Sequence, residues 1–266
     1  MPGIGAMADH IDRPGIDSDP SLDLARAFPG VTEAQALAVQ LDVKRRQAAR
    51  TGDRIIGHQA SFTSFGIRKM FPDAPFPMVG TLLSSLVIED GEVCTLDSDV
   101  VFVESELALV LGRDLEGDRL SRRDVLEAID YLVPAIEIAP LRPGALEGAY
   151  SNAHMIAVQK AKGGHVIFGP RKTLANSIDF QLESCKVSVD GEVRAAATGF
   201  EAMGSPLNVI AAMAAKLHEI GEKLHAGQII MTGSLPPPAK VSPGNRTARV
   251  DFATIGSVSV RFANPA

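Results

Sequence analysis

Three acidic side chains stand where acids are least expected. Glu104 and Glu106 lie in Val101-Phe102-Val103-Glu104-Ser105-Glu106-Leu107-Ala108-Leu109-Val110-Leu111, a run rich in Val and Leu that ends at Gly112. That composition and length read as a buried strand. Side chains on a strand alternate faces, so the two glutamates share one, with Cα atoms about 6.5–7 Å apart. Glu137 sits between Ile136 and Ile138 in a second apolar run, residues 131–139. Carboxylates gathered away from water repel and lose hydration, so a proton, a Lys or Arg, or a cation must compensate. With no Cys or His beside them, three such groups suit a hard divalent cation, Mg²⁺ or Mn²⁺. The plain alternative is the wet face of an edge strand. Phe102 and Ala108, on the same face as the glutamates, argue against a wholly polar surface there.

The chain that positions these acids has 266 residues, enough for one large domain or two moderate ones. A net charge of −6 argues against a nucleic-acid binder, which would carry a basic face. No apolar run reaches membrane-spanning length, and the N-terminus lacks the pattern of a secretory signal. Two cysteines, Cys94 and Cys185, make no disulfide framework and lack metal-ligand spacing, so a reducing cytoplasm is the expected setting. No phosphate loop or dinucleotide fingerprint is present; Gly163-Gly164 lacks the strand–helix context that one needs.

Residues 1–20 show no periodicity and read as a loose tail, with Met7 as an alternative start. Thr32 with Gln35 makes a capping box before a helix near 33–50, with Leu37 and Leu41 inside; Lys44, Arg45 and Arg46 read as its solvated end. Ile55-Ile56 leads into a loop in which Gly57 permits close backbone approach and Ser61, Thr63 and Ser64 offer hydroxyls. A short helix near 65–70, an extended Pro72–Pro77 segment and a strand after Gly80-Thr81-Leu82 follow. Asp90-Gly91 and Asp190-Gly191 both signal hairpins. Ser121 with Asp124 opens a helix near 122–130, and Ser205-Pro206 opens another to about 219. Residues 140–163 are irregular, as functional loops often are. Strands at 166–169, 228–231 and 255–262 complete an α+β pattern: a tail over 1–20, an N-terminal α+β region over 21–95 and a strand-built region over 96–266.

Val103-Glu104-Ser105-Glu106-Leu107 through Leu115 resembles the metal-binding strand of the 2-keto-4-pentenoate hydratase and 4-oxalocrotonate decarboxylase family, of the fumarylacetoacetate-hydrolase-like fold. Pro134-Ala135-Ile136-Glu137-Ile138 resembles its third ligand segment. Gly57–Thr63, Gly80-Thr81-Leu82, Pro206-Leu207-Asn208, Gly227–Leu235 and Ile255–Val258 resemble further landmarks in the family's order, so the likeness covers roughly residues 30–263. It implies a mixed β-sheet and β-roll core with a smaller N-terminal α/β part, a homo-oligomer, and Glu104, Glu106 and Glu137 as ligands of Mg²⁺ or Mn²⁺. It also implies substrate contacts from Ser61, Thr63, Leu82 and Ser234. Three departures stand out. The family's Gly-x-Lys-x-Gly-x-Thr reads Gly57-His58-Gln59-Ala60-Ser61-Phe62-Thr63, which puts Gln59 where the lysine belongs. The Asp before Gly-Thr-Leu is absent from Pro77-Met78-Val79, and Asp-Asn-Ala-Ser is matched by Gln159-Lys160-Ala161-Lys162.

The resemblance thus implies a cation that chelates a 2-oxo acid and stabilises its enolate, with altered proton-transfer groups. Gln59 cannot transfer protons but can bind a substrate carboxylate. Lys160 is the first candidate acid or base, ahead of Lys162, His58 and His154; each also reads as solvated or packed. His58 alternates with Gln59 and points away from it. Arg142, five residues after Glu137, is a candidate for a substrate carboxylate, with a surface ion pair as the plain alternative. The expected activity is a lyase of ring catabolism that hydrates a 2-hydroxydienoate or 2-oxo-enoate. Vinylogous decarboxylation comes next, then C–C hydrolysis or isomerisation, which the missing lysine favours. A non-catalytic metal-binding protein is the competing class.

Overall fold

The structure is a computed structural model and describes residues 3–13, 16, 19–95, 101–140, 150–159 and 164–263. Its strands are β1 (Ile55–Ser61), β2 (Met78–Leu83), β3 (Val87–Ile88), β4 (Val93–Thr95), β5 (Val101–Leu111), β6 (Ile129–Pro140), β7 (His165–Phe168), β8 (Ser184–Val189), β9 (Glu192–Thr198), β10 (Ile229–Met231), β11 (Ala239–Val241), β12 (Thr247–Phe252) and β13 (Ser257–Ala263). Its helices are α1 (Ile4–Ile11), α2 (Leu24–Ala27), α3 (Glu33–Thr51), α4 (Phe65–Met70), α5 (Arg122–Ala128), α6 (Asn152–His154) and α7 (Pro206–Glu219). The α+β class expected from the sequence is the one found. No helix among the described residues is long and apolar enough to cross a membrane.

One sheet runs β2-β1-β10-β5-β6-β7-β3, with β11 pairing the start of β5; the other runs β4-β13-β12-β8-β9. Both sheets take strands from either side of residue 95, so the expected division there crosses each of them. The long β5–β6 antiparallel pair is the spine of the first sheet. Alternation gives it two faces. Val103, Leu107 and Leu109 of β5 join Leu132, Ile136 and Ile138 of β6 in the main core, together with Val187, Val250, Val258 and Val260 of the second sheet. The opposite face carries the glutamates.

Beside β5 the neighbouring edge is broken. β10 pairs Ala108–Val110 and β11 pairs Val101–Val103. Between them the chain at 232–238 is irregular yet stays tied to β5: the Thr232 N–H donates to the Leu107 carbonyl at 3.2 Å and the Leu235 N–H to the Ser105 carbonyl at 2.9 Å.

Helix α3 begins at the Thr32/Gln35 capping box and ends at Gly52, in the left-handed region. It covers the outer face of β1 and β2, where buried Gln40 accepts from the Thr81 hydroxyl and donates to the Val79 and Ile156 carbonyls. Two expectations fail beside it. Ile4–Ile11 is no loose tail: it forms α1, buries Met7, Ala8 and Ile11, and pairs Asp9 with Arg46 at 2.6 Å and Asp12 with Arg50 at 3.3 Å. A helix this short depends on such packing, which local sequence does not display. Nor is the Lys44–Arg46 cluster simply solvated, since Lys44 is buried. Asp90-Gly91 is a turn but not a hairpin, because β3 joins β7 while β4 joins β13 in the other sheet. Asp190-Gly191 does link the β8–β9 hairpin.

Gly57 pairs with Ile229 where β1 meets β10, and a Cβ there would overlap the Ile229 carbonyl oxygen. Gly57→Ala should therefore destabilise the fold by about 3 kcal/mol or more, read from urea unfolding. Thr32→Ala, which removes one cap hydrogen bond, should cost about 1 kcal/mol. Equal effects from the two would contradict the packing described for Gly57.

Candidate metal centre and its cavity

Register brings the acids together. Glu104 lies directly opposite Glu137 across β5–β6, and Glu106 opposite Ala135. Opposed residues share a face, so all three carboxylates project to the same side. One oxygen of each lies within 4.8 Å of the others. Glu106 is fully buried, Glu137 nearly so, and Glu104 half-buried.

Two neighbours hold the acids in place. The Gly233 N–H donates to Glu106 Oε2 at 2.7 Å, from the loop that leaves the sheet after β10. Gly233 has φ +82°, and a Cβ there would collide with the Thr63 hydroxyl, so glycine is required on both counts. The Gln59 amide donates to Glu137 Oε1 at 3.2 Å. Beneath the acids, Leu82, Ala108, Val133, Ala135, Val166 and Met231 form a dry floor on the same face of the sheet.

Above them opens a cavity of about 530 Å³. Glu104, Glu137, Ser61, Thr63, Ser64 and Ser234 supply its polar lining. Of the substrate contacts expected from the sequence, Ser61, Thr63 and Ser234 line this space. Leu82 does not: it belongs to the buried floor. Gln59 is buried against Glu137 rather than lining the cavity. Arg142, Lys160 and Lys162 lie outside the described residues.

His58, taken as a catalytic candidate, is not brought to the site. It is buried on the opposite face of β1, as alternation with Gln59 requires. His154 is also buried elsewhere: its Nδ1 accepts the Leu24 N–H at 3.1 Å and its ring stacks on Tyr150. Sequence reasoning missed the Gly233 amide, although Thr232-Gly233-Ser234 lies in a segment it singled out. It also missed the cavity's apolar walls, because Phe62, Phe71, Met155 and Pro237 come from four separate segments.

The residues present fit a hard cation. Among the described residues the three grouped ligand side chains are all carboxylates. Two more buried oxygens, Gln59 Oε1 and Thr63 Oγ1, have no hydrogen-bond partner among the described residues. No thiol or imidazole stands with the three carboxylates in this group, so the set favours Mg²⁺ or Mn²⁺ over softer metals.

Comparison with known proteins agrees with this arrangement. The family model described as fumarylacetoacetate (FAA) hydrolase, C-terminal, matches residues 57–263. A 4-oxalocrotonate decarboxylase of Pseudomonas putida is 28% identical over 258 residues, covering 97% of this chain and 96% of that protein. A 2-keto-4-pentenoate hydratase of Burkholderia vietnamiensis is 30% identical over 236 residues, covering 88% and 87%. The solved structure of 4-oxalocrotonate decarboxylase from Pseudomonas putida G7, complexed with magnesium and adipate, matches with a TM-score of 0.86 at 29% identity, covering 98% and 97%.

The off-site histidine yields a test of its own. Burial pushes the His58 imidazole down to about 4, from about 6.5 in an unfolded chain. The unfolded state therefore protonates first, so the stability that neutral His58 contributes is full above pH 6.5 and is lost as pH falls toward 4. The loss amounts to roughly 3 kcal/mol over that window. Urea midpoints between pH 7 and 4.5 should fall less steeply for His58→Gln than for the unmodified chain. An unchanged slope would contradict the placement of His58.

Proposed function

The chain belongs to the fumarylacetoacetate hydrolase family, and on that premise we propose that it is a lyase dependent on Mg²⁺ or Mn²⁺. In this reading it hydrates a 2-hydroxydienoate or 2-oxo-enoate of ring catabolism to a 4-hydroxy-2-oxo acid. The observation that carries the proposal is the convergence of Glu104, Glu106 and Glu137 at the inner end of a closed-floored cavity. These three side chains would hold the cation. When bound, it supplies the positive charge that favours the enolate of a 2-oxo acid.

The chain's own groups do the remainder. Gly233 and Gln59 donate hydrogen bonds that orient two of the carboxylates, Glu106 and Glu137. The apolar floor keeps water from the inner side of the acids. The hydroxyls of Ser61, Thr63 and Ser234 are the proposed partners for the substrate's polar head. Hydration of a 2-hydroxydienoate puts the hydroxyl of water on C4. Two protons, one from water and one from the enol, end on C3 and C5. A group must move them. Gln59 cannot, so Lys160 is the proposed acid and base, and Arg142 is proposed to meet a substrate carboxylate.

A second reading, decarboxylation of a 2-oxo-enedioate, draws support from Gln59 itself. Loss of CO₂ leaves the dienolate without prior removal of a proton, and so needs no base at that position.

The test is to incubate 2-hydroxypenta-2,4-dienoate with enzyme and Mg²⁺, following dienol absorbance and identifying the product by NMR. The expected result is 4-hydroxy-2-oxopentanoate, with turnover abolished by EDTA. Glu106→Ala should lose metal binding by calorimetry and lower turnover on the order of 10³-fold while the fold survives. Loss of absorbance without the hydrated product would exclude hydration, and metal binding that persists in Glu106→Ala would remove the ligand assignment.

A further inference from the structure

The cavity has a direction. On β5, Glu106, Glu104 and Phe102 share one face and step from fully buried to half-buried. Opposite them on β6 stand Ala135, Glu137 and Ala139, which make the same passage outward. The acids therefore sit at depth, and the way out runs past Phe102 and Ala139. Its outer walls are Phe62, Ile67, Phe71, Met155 and Pro237. Phe62 and Phe71 meet edge to face with centroids 5.6 Å apart, so they form one aromatic wall. The polar lining among the described residues consists of hydroxyls and the two glutamates, with no basic side chain. A space of about 530 Å³ is of the size that buries ligands well beyond a five-carbon acid.

We propose, resting on the function assigned above, that the natural substrate carries an apolar substituent the size of a phenyl ring at the end remote from its 2-oxo acid. A 2-oxo acid whose head lies at the glutamates must run its chain outward along Phe102 and Ala139. A phenyl ring there meets aromatic and thioether surface and leaves water. A second carboxylate set against Phe62, Phe71 and Met155 would lose hydration that a phenyl ring does not need.

The experiment is a calorimetric series on the full chain with saturating Mg²⁺, using pyruvate, 2-oxoadipate and 4-phenyl-2-oxobutanoate. Burial of apolar groups gains about fourfold in affinity per methylene equivalent. The phenyl ligand should therefore bind at least tenfold more tightly than pyruvate, and 2-oxoadipate no more tightly than pyruvate. Phe71→Ser should bring the phenyl-to-pyruvate ratio toward one; should that variant fail to fold, the ligand series on the unmodified chain decides. A flat series, or a preference for 2-oxoadipate, overturns the proposal while leaving the metal-centred function standing, since pyruvate would still bind only with Mg²⁺. Absence of Mg²⁺-dependent binding for every 2-oxo acid, pyruvate included, overturns the underlying function and this proposal with it.

Discussion

Carboxylates with oxygens within 4.8 Å of one another repel by about 3.5 kcal/mol per pair at the effective dielectric of a protein site. On the dry face of a sheet they also forfeit hydration. That cost is relieved by a proton or by a charge of opposite sign, and a bound cation relieves it for all three at once. The rest of this structure is arranged around the demand. The β5–β6 register sets Glu104 against Glu137, a cavity opens beside them, and the Gly233 N–H and the Gln59 amide lend partial positive charge to two of the three.

The same arrangement explains why several unremarkable residues cannot vary freely. Gly233 brings a backbone amide within 2.7 Å of a buried carboxylate, which a side chain at that position would prevent. Leu82 and its neighbours are buried and seal the inner side of the acids. The main core lies on the other face of the same two strands, so the sheet that carries the site is held from behind by the second sheet. Strands place the acids, and one loop amide, that of Gly233, fixes the orientation of Glu106.

Much of this was legible along the chain. An eleven-residue strand interrupted by two glutamates at i and i+2 announces a charged face inside an apolar element, and alternation then places Glu104 and Glu106 together and turns His58 away from Gln59. Capping at Thr32, Ser121 and Ser205 located three helices because the signal is local: one side chain and an N–H three residues away or fewer. What stayed hidden depends on distant partners. Helix α1 exists through its contact with α3, and the turn at Asp90-Gly91 separates two sheets, although the dipeptide looks the same as the one that closes the β8–β9 hairpin. Leu82 stands in the landmark Gly80-Thr81-Leu82 as an expected substrate contact, yet pairing of β1 with β2 puts it in the floor. The apolar walls of the cavity, drawn from β5, α4 and the four segments that carry Phe62, Phe71, Met155 and Pro237, have no signature in any one of them.

The account stands or falls on whether the three acids share one ion. The direct measurement is anomalous diffraction at the manganese edge from crystals of the protein soaked in Mn²⁺ and oxalate. The account predicts a single strong peak on the cavity side of β5 and β6, within about 2.5 Å of an oxygen from each of Glu104, Glu106 and Glu137. A peak elsewhere, or none between those three side chains at saturating Mn²⁺, would contradict it.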